Sequence, residues 1–154
     1  MTDLVQDAQK TAIDSPPPFD LEEVEDTPEV VIDRDRLQAN IARAAAVAEA
    51  HGVRLRPHVK THKMPEVASM QIRAGAVGIQ VAKLGEAEIF ARAGIADIFI
   101  GYPLVGAQKI ARLMQLLEGT DATISVAADS MEVARPISNA AAAAAMSSAW
   151  VRNS

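Results

Sequence analysis

Arg56-Pro57-His58-Val59-Lys60-Thr61-His62-Lys63 decides the fold of this chain. The eight residues hold two histidines, two lysines and an arginine, and they continue the run Val53-Arg54-Leu55. Successive side chains of a strand face opposite ways, so Val53, Leu55, Pro57 and Val59 fall on one side. Arg54, Arg56, His58 and Lys60 fall on the other. A strand that ends in clustered cations suits a site that handles an anionic cofactor and supplies an amine.

Working outward from this strand, a regular rhythm appears. Pro65 and Glu66 suit the first turn of a helix that stops before Gly75. Residues 76–82, 96–102 and 122–128 read as further apolar strands. A helix after 76–82 should end before Gly94, and another should run from about Val105 to Leu117. Asp129 and Glu132 offer a capping box for one more helix. Upstream, Val30-Val31-Ile32 reads as a short strand, and Asp33 or Asp35 as the cap of a helix reaching about Ala50. Leu37, Ile41, Ala44 and Val47 lie along one predicted face of that helix, and Gly52 stands where a C′ glycine belongs. Strand starts near 53, 76, 96 and 122 have the spacing of βα units. Short connections and apolar strands favour a parallel sheet with right-handed crossovers. The periodicity fits an open doubly wound sheet and part of a barrel equally well.

Composition sets the outer bounds. With 154 residues the chain is long enough for one domain with a core, but a complete (β/α)8 barrel needs roughly 200 to 250 residues. A net charge of −5, without a basic stripe interleaved with aromatics, argues against nucleic acid as a partner. The chain has no cysteine, which removes disulfides and thiolate metal sites and fits a reducing, cytoplasmic location. No run approaches 18 uninterrupted apolar residues, so no membrane-spanning segment is expected. Residues 1–27, with Pro16-Pro17-Pro18 and five closely spaced acids from Asp20 to Asp26, read as a disordered leader. Residues 28–139 carry the βα pattern. Residues 140–154 open on the run Ala140 to Ala145 and show no fifth strand, so they read as an atypical tail from truncation or a frame shift.

The stretch from Arg56 to Lys63 resembles the lysine motif of the D-threonine aldolase and D-serine dehydratase family, and the resemblance runs from about Thr27 to about Asn139. It implies the N-terminal part of an alanine-racemase-like (β/α)8 barrel that binds pyridoxal phosphate (PLP), here an incomplete α/β domain. It also implies that Lys60 carries PLP as a Schiff base and that the activity is that of a lyase. An aldolase of this kind cleaves D-threonine-like substrates to glycine and an aldehyde, and a dehydratase converts D-serine to pyruvate and ammonia. The family's divalent-metal ligands lie near the far C-terminus, beyond this sequence, so no metal ligand is assigned here. About half a barrel is expected to make a poor enzyme by itself, and two such halves can pair as a homodimer. The alternatives are an inactive fragment and a non-catalytic PLP-binding protein.

Around Lys60, His58 and His62 are candidate site-lining imidazoles or satisfied partners of a carboxylate rather than metal ligands. Their spacing of four suits a metal pair only on a helix, which Pro57 and the strand pattern oppose. Gln80, a polar residue near the end of the next strand, either faces the cofactor or makes a structural hydrogen bond. Lys63 suits neutralising an anionic substrate, shaping the strand-to-helix turn, or a plain surface position. Glu86 and Glu88 open the next helix, where the macrodipole favours them, and Tyr102 ends the third strand. No GxGxxG, P-loop, GxSxG or HExxH sequence occurs.

Overall fold

The computed structural model describes residues 30–152, with side chains through Ala145. The expected leader lies outside the described residues. Two compact units are distinguished, residues 1–38 and 39–154. In the described part of the first unit the expected strand at 30–32 does not form: Val30 is 91% exposed and no strand pairing takes it up among the described residues. Asp33 instead caps helix α1 (Arg34–Ala50), its carboxylate accepting from the backbone N–H groups of Asp35 and Arg36.

In the second unit, α1 turns Ile41, Ala45 and Ala48 inward, and Val47, expected on that face, is 56% exposed. The inward stripe follows i, i+4, i+7, one position on from the one predicted at Ala44 and Val47. The helix closes as the sequence suggests. Gly52 has φ +62°, its N–H donates to the Glu49 carbonyl, and Val53 N–H reaches back to Ala48. This is a Schellman cap, and only glycine takes that left-handed conformation without a Cβ penalty. The same pair of bonds recurs at Gly75 and Gly94.

Beyond it come a short 3-10 turn (Val59–Thr61), α2 (Pro65–Arg73), β1 (Ile79–Val81), α3 (Leu84–Arg92), β2 (Asp97–Ile100), α4 (Ala107–Gly119), β3 (Thr123–Val126) and α5 (Met131–Arg152). The strands form one parallel sheet in the order β1-β2-β3, as expected of βα units, each strand shorter than predicted. Register places Ile79 beside Ile98 and Ile98 beside Ile124, with Gln80, Phe99 and Ser125 forming the neighbouring row. Ile79, Val81, Ile98 and Ile100 are buried under α2, α3 and α4, in one cluster with Ala68, Ala87, Phe90, Leu113 and Leu116. On the opposite face Gln80 and Phe99 are half-buried and Ser125 is exposed.

The stretch 53–59 corrects the sequence reading. It runs parallel beside β1, with Val77 N–H donating to the Leu55 carbonyl and Gln80 N–H to the Pro57 carbonyl, but only His58 forms a bridge, to Gln80. Pro57 presents a carbonyl to the ladder and has no N–H to return, so one rung is missing and no regular strand develops. The alternation then stops at Val59, which enters the 3-10 turn and is fully buried.

The last helix also differs from expectation. Its first turn is capped by Ser130, whose hydroxyl accepts from Val133 N–H at 3.4 Å, rather than by Asp129. It continues through the alanine run to Arg152. Alanine has the highest helix propensity of the residues, and the run outweighs Pro136, which leaves the Glu132 carbonyl without its helical donor. No described helix is long and apolar enough to cross a membrane.

Candidate active site

Lys60 occupies the middle of the 3-10 turn that follows the 53–58 segment, at the end of the sheet where the parallel strands run out. Its side chain is exposed, and its Nζ meets no hydrogen-bond or ion-pair partner among the described residues. The turn is held from within. His58 Nδ1 accepts from Lys60 N–H at 3.2 Å, Thr61 Oγ1 donates to the His58 carbonyl, and Lys63 N–H closes on the Val59 carbonyl at 2.8 Å.

That first bond fixes the tautomer of His58. An Nδ1 that accepts carries no proton, so the neutral ring holds its hydrogen on Nε2. Desolvation lowers the ring's pKa from its ordinary 6.5, the Lys60 charge lowers it further, and Glu86 opposes them. The result is a neutral imidazole near pH 7 whose Nε2–H finds no acceptor among the described residues. Because His58 pairs in register with Gln80, the two residues are neighbours across the edge of the sheet. The Gln80 amide lies against Gly101, at the end of β2, in the space a Cβ there would occupy.

His62 is drawn elsewhere. Its Nδ1 accepts from Met64 N–H at 3.0 Å, just ahead of α2. Burial lowers its pKa, with Gln71 and Met64 opposing, although neither His62 Nε2 nor Gln71 Oε1 makes a hydrogen bond of proper geometry among the described residues. Its role in the structure is to join the turn to α2. Among the described residues no group of three His, Asp or Glu side chains is placed to hold a metal.

Two of the cations in the motif are engaged. Arg56 forms a bidentate pair with Asp97 of β2, both N···O distances 2.9 Å, above Gly78, where a Cβ would strike the guanidinium. This pair sits at the starts of the strands, away from Lys60. Lys63, at φ +55°, places its Nζ 3.6 Å from Glu86. Glu88 instead joins α3 to α4 through a two-point contact with Arg112. Tyr102, at 65% exposure, does not pack in the core. The Arg56–Asp97 pair and the burial of Glu86 were not read from the sequence. The signals were Gly78, an unexplained glycine opening a strand, and a Glu three residues into a helix behind a strand.

The arrangement offers an accessible amine, a neutral imidazole donor and an amide side chain at one end of a parallel sheet, where α/β folds place their sites. A separate cavity of about 490 Å³, lined by Leu104, Ile110, Val133 and Pro136 among others, lies between α4 and α5. It is apolar apart from Glu132 and brings no amine or imidazole to a ligand.

Comparison with known proteins places the chain in a family. The alanine racemase N-terminal domain family matches residues 32–151. The chain is 44% identical over 115 residues to a D-threonine aldolase of an Arthrobacter species, covering 75% of this chain and 30% of that protein. It is 46% identical over 112 residues to the D-threo-3-hydroxyaspartate dehydratase of Delftia sp. strain HT23, covering 73% and 29%. The crystal structure of D-threonine aldolase from Filomicrobium marinum superposes with a TM-score of 0.74 at 38% identity, over 78% of this chain and 32% of that one. The chain thus spans about 30% of the length of the curated relatives it matches.

Proposed function

The chain belongs to the alanine racemase N-terminal domain family, and on that premise we propose that it carries the cofactor lysine of a PLP-dependent lyase acting on D-β-hydroxy-amino acids. The observation that supports this most is the exposed Lys60 amine, without a partner among the described residues, on a turn fixed by its own hydrogen bonds with His58 paired to Gln80. The residues fit the cofactor. Lys60 Nζ is accessible for covalent attachment to its aldehyde carbon, with His58 on the same turn and Gln80 paired with His58 at the edge of the sheet.

When bound, PLP supplies an electron sink for charge that develops at the carbon next to the substrate amine. Lys60 would hold the cofactor and, as a free amine, would serve as a base close to the reacting carbon. His58, neutral with Nδ1 occupied, has its Nε2–H available to an anionic oxygen. Gln80 supplies an amide for orientation. His62 holds the turn to the start of α2.

The substrate class follows the relatives, which are named for D-threonine and for D-threo-3-hydroxyaspartate. All of these are small D-amino acids with a β-hydroxyl, and the lack of cysteine fits the cytoplasm as the place of action. The coverage of about 30% of each relative favours a second reading, in which the chain alone binds PLP but turns over little.

Incubating the purified chain with PLP and either D-threonine or D-3-hydroxyaspartate tests both readings. Glycine and an aldehyde mark the aldolase, and an oxo acid with ammonia marks the dehydratase. Attachment of PLP without product supports the second reading, and an absence of both attachment and product contradicts the proposal.

A further inference from the structure

Glu86 is the buried charged side chain among the described residues, 6% exposed in the first turn of α3. A carboxylate at that helix position ordinarily serves the helix itself, by accepting from the N-cap N–H. Glu86 reaches beyond its own helix. Its Oε2 accepts from Ala82 N–H at 2.8 Å, just past the end of β1. Its Oε1 lies 3.6 Å from Nζ of Lys63, on the segment that leaves the Lys60 turn.

Burying a carboxylate is unfavourable unless its partners replace water. Here the partners are one backbone N–H and one long-range cation. Lys63 holds a left-handed backbone conformation that non-glycine residues seldom adopt, with φ +55°. Its N–H closes the turn on the Val59 carbonyl, and its side chain reaches Glu86. The same carboxylate acts electrostatically on His58, the residue that caps the turn from its other end.

We propose that Glu86 is a positioning residue: by bridging Ala82 N–H and Lys63 Nζ, its carboxylate latches the Lys60 turn to the exit of β1. The inference deepens the proposed function and rests on Lys60 as the attachment point. The latch itself needs no cofactor. Glu86→Gln keeps an acceptor for Ala82 N–H and removes the charge that holds Lys63, so the variant is expected to fold. Lys63→Met removes the other half of the contact.

Backbone hydrogen exchange of the 154-residue chain, followed by peptide, reports the latch without PLP. Both variants should exchange faster than wild type across residues 58–64 and no faster in α4. PLP attached at Lys60, fixed by borohydride and quantified by mass, should fall roughly three- to tenfold at subsaturating PLP. If Glu86 only caps α3, exchange rises in residues 82–88 and stays unchanged in 58–64, and that result overturns the latch. A wild-type chain that takes up no PLP strikes at the proposed function instead. Faster exchange in 58–64 would still support the latch in that case, and unchanged exchange would overturn it.

Discussion

Gly78 opens β1 beneath the Arg56 guanidinium, with the Asp97 carbonyl 2.7 Å from where a Cβ would stand. The neighbouring atom is backbone, so it cannot swing aside. Gly78→Ala should therefore destabilise the chain by about 1–3 kcal/mol in denaturant unfolding, the usual cost of overpacking. The titrating groups make a second prediction. His58 and His62 have pKa values below the ordinary 6.5, so the unfolded chain binds protons that the folded chain refuses. Stability should be level above pH 6.5 and fall as the pH drops below it. Asp97 adds a later loss. Its hydrogen bonds to Arg56 hold its carboxyl below 3.8, so its contribution is present above that value and disappears as the pH falls through the folded one. Unfolding midpoints measured from pH 8 down to about 4 should show the histidine loss first, and His58→Asn should reduce it.

At the scale of elements, register separates two faces of one sheet. Ile98 is fully buried under the helices, and Phe99, one residue later, is half-buried on the opposite face. Ile98→Ala should cost about 2–5 kcal/mol. Phe99→Ala should cost clearly less despite removing the larger side chain, and equal losses would mean the helix-covered face is misassigned. The βα order was legible because periodic apolar runs and the glycines at 52, 75 and 94 mark where elements stop. Pro57 shows where legibility ended. Alternation along Arg54, Arg56, His58 and Lys60 describes a strand, and a missing N–H converts its last residues into a turn. That conversion separates Lys60 from Arg56, which instead pairs with Asp97, a residue 41 positions away. The motif made Lys60 and His58 readable as candidates. The burial of Glu86 was not readable, because it depends on Ala82 and Lys63 arriving at one place from separate segments.

For the molecule as a whole, the sheet's order matters more than its length. β3 pairs with β2 along one side, and no described strand pairs along its other side. Unpaired strand edges recruit further strands. The purified chain should therefore self-associate as its concentration rises, which sedimentation velocity would detect; a single monomeric species at all concentrations would argue against an open edge. The proposed attachment of PLP to the amine at the end of this sheet can be tested on the chain itself. The chain is mixed with PLP, reduced with borohydride, digested and mapped by mass spectrometry. One dominant modified peptide is expected, with the phosphopyridoxyl group on Lys60, and it should be lost in Lys60→Ala. Modification centred on Lys63 or Lys83, or spread evenly over the surface lysines, would contradict it.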